Sequence, residues 1–472
     1  MYNISKDKVR LHMKRKGIST QKELAEYLGL SKNQLSMLLS PNFNPIKSNA
    51  LKLCEVLDVN FEEILDSEQL TLGFEEPELD NPQEEGFNVK DFIKDFEGYN
   101  FVDVRGMKAK SNFSVVELFA GAGGLALGLE QSGFNSKGLV EIDKHACQTL
   151  RKNRPNWNVI QEDIIEVVEQ GIRNYVDMPI GELDLLSGGY PCQAFSYAGK
   201  KMGLSDARGT MFYYYAQVLK QLLPKMFLAE NVKGLVNHDN GRTLALMLKV
   251  FSEIGYTVKW KILRALDYDV AQKRERIVLV GIRNDLVKEY DIEYFFPEPY
   301  GYELTLKDIL KDVPQSDGAK YPESKSKVLD LVPPGGYWRD LPDEIAKDYM
   351  GKSYYSGGGR TGMARRLSWD EPSLTLTCSP AQKQTERCHP DETRPFTVRE
   401  YSRIQSFPDD WKFDCSTNNA YKQIGNAVPV NMAKAIGLSI VNILNQIKHP
   451  YNSVNGKGDQ EVRRNEKHYV TS

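Results

Sequence analysis

Only six cysteines occur in the 472 residues of this chain, Cys54, Cys147, Cys192, Cys378, Cys388 and Cys415, and no two of them share a C-x-x-C spacing. Such scatter argues against a zinc or other metal site and against a disulfide framework, so reduced, mostly buried thiols are expected. An excess of charge of either sign is also lacking: 61 Lys and Arg against 64 Asp and Glu leave a formal net charge of -3. A globally basic nucleic-acid binder is thereby excluded, and any basic surface must be local. No stretch approaches the roughly 18 apolar residues of a membrane span. The opening "MYNISKDKVRLHMKRKG" lacks the apolar centre of a secretory signal. Cytoplasmic location and no membrane partner are the expectations. There is no internal repeat, and 41% apolar with 26% charged residues suits a globular chain of two or three domains.

What is present divides the chain. Residues 1–65 read as short helices and 66–112 as an acidic linker carrying Pro77 and Pro82. From Phe113, apolar runs of strand length ("SVVELFA", "DLLSGG", "MFLAE", "RIVLVGI") alternate with helical patterns such as 209–223 and 242–254. That alternation predicts an α/β fold, a parallel sheet with crossover helices. It stops near residue 284, and 284–393 reads as an inserted, irregular domain. Residues 394–449 return to the first fold, ending in "NMAKAIGLSIVNILNQI", and 450–472 form a polar tail.

In "STQKELAEYLGLSKNQLSMLLS", Thr20 with Glu23 and Ser31 with Gln34 each have capping-box spacing. Gly29 supplies a turn between the two helix starts, Ala25 leaves room for a close crossing, and Leu24, Leu28, Leu30, Leu35 and Leu38 give an apolar face. The pattern resembles a phage-repressor-type helix-turn-helix, an all-α domain whose second helix would present Lys32, Asn33, Gln34 and Ser36 to DNA. A small helical bundle serving a protein partner is the plainer alternative.

"VVELFAGAGGLALGLE" runs an apolar strand into Gly121, Gly123 and Gly124 and then into a helix. Glycines at the carboxyl end of a parallel strand let a ligand approach the backbone, although a ligand-free tight turn has the same look. The next strand, "KGLVEID", ends at Glu141, roughly 20 residues on, where a dinucleotide fold places its ribose-binding acid. A third strand ends at Asp163. Gly, Glu and Asp on successive strand ends suit an adenosine-containing ligand, and the missing phosphate-loop Lys argues against ATP. Cys192, in "SGGYPCQAFSYAGKKMG", follows the fourth strand of the same sheet, so its thiol is expected at the ligand's mouth. "FLAENVKGL" then sets Glu230 and Asn231 at a strand end, and "AQKRERIVLVG" sets Gln272, Arg274 and Arg276 at a strand start.

With these residues in order, the chain resembles the DNA cytosine-5 methyltransferases of prokaryotic restriction–modification systems. The likeness spans 113–447 and rests on "FAGAGG", Glu141, "EDI" with Asp163, "GGYPCQAFS", "DARGTMF", "AENV", "QKRER", "RPFTVREYSRIQSFPDDW" and "QIGNAVP", in the family's order. Tyr190, Glu162 and Phe396 depart from its usual residues without touching an inferred catalytic atom.

The resemblance implies a Rossmann-like sheet dependent on S-adenosylmethionine, a small target-recognition domain inserted at 284–393, and duplex DNA as partner. It implies catalysis by Cys192, adding to carbon 6 of the cytosine ring, with Glu230, Arg274 and Arg276. It implies a cofactor site of Phe119, Gly121, Gly123, Glu141, Ile142, Asp163, Ile164, Asn426 and Val428. A loop bearing Gln193, Ser196, Lys200 and Arg208 would grip DNA around a base rotated out of the stack. In the inserted domain, Arg360, Arg365, Arg366, Arg387 and the "LTLT" strand with Thr375 and Leu376 are expected at the major groove. The catalytic part is expected to be monomeric, with the N-terminal arm dimerising on DNA and binding its own promoter. Methylation of RNA and a DNA-binding regulator with an inert enzyme portion are the alternatives.

Overall fold

The computed structural model describes residues 6–16, 18, 20–28, 30, 35, 53, 54, 56, 57, 101–191, 210–355 and 362–447. The chain divides into two compact units, Met1–Gly86 and Phe87–Ser472.

In the first unit, helices α1 (Lys6–Arg15) and α2 (Gln21–Leu28) are described. Thr20 Oγ1 accepts the Glu23 N–H at 3.2 Å, the first-turn bond that the sequence spacing anticipates. Leu24, Ala25 and Leu28 bury against Val9, Met13, Ile18, Leu35, Leu53 and Leu57. The residues expected to read DNA, Lys32, Asn33, Gln34 and Ser36, lie outside the described residues.

The second unit is built on a seven-stranded sheet. Its strands are β1 (Phe113–Leu118), β2 (Phe134–Glu141), β3 (Val159–Gln161), β4 (Leu185–Gly188), β5 (Met226–Val232), β6 (Tyr256–Arg264) and β7 (Glu275–Arg283). In space they run β3-β2-β1-β4-β5-β7-β6. The first five pair in parallel, whereas β7 is antiparallel to both β5 and β6, so the sheet is mixed. Order reverses between β1 and β4, and ligands of open α/β sheets bind outside such a point. All six residues of β1 are buried, as a central strand covered on both faces requires.

Helices α3 (Gly124–Ser132), α4 (Lys144–Asn153), α5 (Ile164–Gln170), α6 (Met211–Leu222) and α7 (Arg242–Ile254) cover the faces. One face is filled by Leu186, Tyr190, Phe212, Tyr215, Phe227 and Phe251 among others. The other receives α10 (Val430–Leu444), which together with α8 (Val398–Ile404) and α9 (Thr417–Asn426) returns from the C-terminal segment. A Cβ on Gly128 would meet that of Ala433 at 2.5 Å, so glycine there lets α3 and α10 cross closely. The most apolar window of the run Thr417–Leu444 is 83% buried, and its apolarity is spent on the core.

Residues 284–393 contain short helices, Asp343–Met350 the longest, around a core of Tyr321, Leu329, Trp338, Met350 and Cys388. The expected "LTLT" strand is shorter than the sequence suggests. Only Ser373–Leu374 pair, with Gln272–Lys273, after which Thr375 Oγ1 turns to the Lys273 carbonyl at 2.6 Å. Two of the arginines expected at the major groove are also corrected. Arg366 and Arg387 are 4% and 6% exposed, with Arg366 donating to the carbonyls of Val332 and Leu329 and Arg387 to that of Thr375. A buried guanidinium needs such acceptors, so these two hold the inserted domain together. Arg360 lies outside the described residues.

Candidate active site

A cavity of about 560 Å³ opens at the carboxyl ends of β1, β2, β4 and β5. Its floor is the turn from β1 to α3. Phe119 adopts a left-handed backbone, φ 59°, and Gly121 follows at φ 54°. For a bulky residue this conformation is costly and persists only where the surroundings impose it. A Cβ on Gly124 would lie 2.2 Å from the Val428 carbonyl oxygen, so glycine is what lets the C-terminal segment lie on the turn.

Glu141 ties this turn to the next. Its carboxylate accepts from the Gly121 N–H and from the Asp143 N–H, each at 2.7 Å, leaving lone pairs for a ligand diol. Ile142 beside it is 65% exposed and lines the cavity, an apolar face of the kind that an adenine ring covers. Asn426 and Val428 line the opposite wall. Gly123, Asp163 and Ile164 are not among the lining residues. Asp163 caps α5 through the Ile165 N–H at 3.0 Å, and Ile164 is buried in the core.

Several lining residues carry no motif signal of their own. Glu117, 2% exposed, is raised by burial to about 8, against the Ser187 hydroxyl and the Ala126 N–H that favour its charge. Asp143 accepts from the His145 and Ala146 N–H groups at the start of α4 and pairs with Lys422 at 3.0 Å. Burial opposes its ionisation, but those partners hold its carboxyl below the usual range. The pair joins residues 279 apart in the chain, a distance no local pattern reports.

At the far end of the cavity Glu230 Oε1 meets Arg276 Nε at 2.8 Å, with both side chains nearly buried. Burial raises the Glu230 carboxyl above its ordinary value, while the charges of Arg276 and Arg274 oppose the rise. Arg274 is 2% exposed, and burial followed by the nearby Arg276 charge lowers it to about 9. Asn231 donates to the Tyr190 carbonyl at 2.9 Å. The Tyr190 ring packs against Phe212 and Tyr215 at 5.7 and 5.4 Å. Core packing and one amide therefore fix Tyr190 and, next to it, Pro191 in the same cavity lining as Glu230. Cys192, Gln193, Ser196, Lys200 and Arg208 lie outside the described residues, whereas Pro191 lines the cavity.

The profile of the C-5 cytosine-specific DNA methylases matches residues 113–442. The chain belongs to that family. The methylase is 55% identical over 443 residues to the Type II methyltransferase M.Sau96I of Staphylococcus aureus, covering 94% of this chain and 99% of that one. To the Type II methyltransferase M.Eco47II of Escherichia coli it is 55% identical over 374 residues, 76% of this chain and 88% of the relative. A solved structure described as a DNA modification methyltransferase encoded within an E. coli prophage matches at TM-score 0.51 and 27% identity, covering 71% of this chain and 100% of that one. The S. pombe Dnmt2 methyltransferase, at 18% identity, TM-score 0.50 and coverage of 72% and 100%, shares the fold. Residues 8–69 match the Cro/C1-type helix-turn-helix DNA-binding domain. The methylase is a DNA cytosine-5 methyltransferase of restriction–modification type, with the fold of the S-adenosylmethionine-dependent enzymes.

Proposed function

We propose that the methylase transfers a methyl group to carbon 5 of a cytosine rotated out of duplex DNA, through a transient bond between Cys192 and carbon 6, and that it thereby protects DNA from a partner endonuclease. The observation that carries this reading is one continuous cavity with Glu141 and Ile142 at one end and the buried Glu230–Arg276 pair, with Pro191, at the other.

S-Adenosylmethionine bound at the first end supplies an electrophilic methyl group. The exposed Ile142 and the spare lone pairs of Glu141 fit its adenosine, with Phe119, Gly121, Asn426 and Val428 around them. Gly123, Asp163 and Ile164 act by shaping the strand ends. At the second end, Arg276 donates to the base carbonyl, and Glu230 delivers a proton to ring nitrogen 3 as the Cys192 thiolate adds. A carboxyl raised by burial retains that proton nearer neutral pH. Carbon 5 gains nucleophilic character from the addition, and loss of its proton with departure of the thiolate restores the aromatic ring.

Everting the base costs a few kcal/mol, which contacts from Gln193, Ser196, Lys200 and Arg208 offset. Residues 284–393 read the target, and the helix-turn-helix arm, through Lys32, Asn33, Gln34 and Ser36, binds a promoter of the system. A duplex containing 5-fluorocytosine in the methylated context tests the chemistry, because fluorine cannot leave as the proton does. With the methyl donor, the native chain is expected to form a covalent complex stable to denaturation, and Cys192→Ser none. Label from the donor appearing on tRNA and not on DNA would overturn the choice of substrate.

A further inference from the structure

Between the inserted domain and the cofactor cavity runs a chain of side-chain amides with no solvent access. The Leu376 N–H donates to Gln272 Oε1 at 3.0 Å. Gln272 Nε2 donates to Gln405 Oε1 at 2.5 Å. Gln405 Nε2 donates to the Ala427 carbonyl, also at 2.5 Å. Both glutamines are 0% exposed. Leu376 follows Thr375 in the segment expected at the DNA, and Ala427 lines the cofactor cavity.

The chain has a fixed polarity, because a backbone N–H begins it and a carbonyl ends it. Neither amide can flip without setting two acceptors face to face. Arg274 bridges the same two segments in parallel, reaching the Leu376 carbonyl at 3.4 Å and the Gly425 carbonyl at 3.2 Å. Leu376 is thus tied by both of its peptide groups to residues 425–427 at the end of α9. A shift of the recognition segment on DNA cannot leave the end of α9 in place without breaking buried hydrogen bonds.

We propose that Gln272 and Gln405 are positioning residues that couple the two sites: DNA seated against Thr375–Leu376 sets Ala427, and with it the affinity for S-adenosylmethionine. This rests on the function proposed above. Thermodynamic linkage makes the coupling reciprocal, so donor binding tightens DNA binding by the same factor.

The test measures the dissociation constant of S-adenosylhomocysteine with and without a duplex bearing the context that bisulphite sequencing shows the native chain to methylate. A native chain that methylates no DNA defeats the function itself and ends the test there. Otherwise the duplex is expected to tighten binding about fivefold or more. Gln405→Glu cannot donate to Ala427, and Gln272→Glu cannot donate to Gln405, so each should bring the ratio to within about twofold of one. Lys422→Ala weakens the cavity rim without touching the chain, and its ratio should match the native one. A general loosening would lower affinity in all three and leave every ratio intact. The inference is overturned by a native ratio of one, or by a native-like ratio in either glutamate variant that retains a cooperative melting transition.

Discussion

Replacing Gly189 by alanine exchanges one hydrogen for a methyl group, and the structure says where its carbon goes. Its Cβ would lie 2.8 Å from Glu230 Oε2 and 3.9 Å from the carboxyl carbon, with no other atom nearer than 4.0 Å. Gly189 is not among the positive-φ residues, so the alanine carries no backbone strain and the contact is the entire perturbation. Reaching an ordinary separation requires Oε2 to move roughly 0.5 Å. Arg276 grips the other oxygen at 2.8 Å, and the strand end around it is buried, so the carboxylate cannot withdraw freely. Overpacking of this size costs about 1–3 kcal/mol. A displacement of 1 Å can cost about 100-fold in rate, so half of that corresponds to about tenfold in kcat. Denaturant unfolding of Gly189→Ala, Glu230→Ala and the double variant isolates the cause. In the Glu230→Ala background the added methyl group meets nothing, and its cost should fall to within about 0.5 kcal/mol of zero. An equal cost in both backgrounds would refute the reasoning, since the loss would then arise somewhere other than Glu230.

Glu117→Gln is expected to flatten part of the pH dependence of stability. Because burial raises the folded-state carboxyl from 4.5 to about 8, the native chain holds this stabilisation fully below pH 4.5 and loses it as pH rises through about 8. The stability of the native chain relative to Glu117→Gln should therefore decline across that window in denaturant titrations, and a constant difference would show that Glu117 ionises normally. Removal of residues 1–65 should leave methylation of DNA nearly unchanged while abolishing binding to a promoter fragment in a mobility-shift assay; equal promoter binding by the shortened chain would remove the regulatory role from the arm.

The parts of the molecule legible in the sequence are those that local chemistry dictates. Thr20 caps its helix because its hydroxyl sits three residues before Glu23, and β1, β4, β5 and β7 stand out as apolar runs because central strands are buried on both faces. The edge strand β6 has Lys259 and Lys261 within it, so a search for apolar runs passes over it. Strand ends place Glu230 and Arg276 at the site, and the structure pairs them. Lys422 and Asn419, outside the quoted motifs, reach the cavity only because α9 folds back across it, information that no neighbouring residue contains. Arg366 and Arg387 mislead for the opposite reason. Their surroundings are rich in Gly and charge, the composition of an exposed loop, yet their guanidinium groups hold buried carbonyls.

The cavity takes one wall from residues 117–146 and the other from 419–428, with the whole variable region encoded between them. During synthesis, the ribosome delivers the first wall (ending at 146) 273 codons before the second begins at 419. A nascent chain can complete the five parallel strands, yet it has no enclosed place for the donor until α9 has cleared the exit tunnel. Premature termination ahead of α9 would thus remove the second wall together with α10, the helix that covers one face of the sheet, and leave the donor site open.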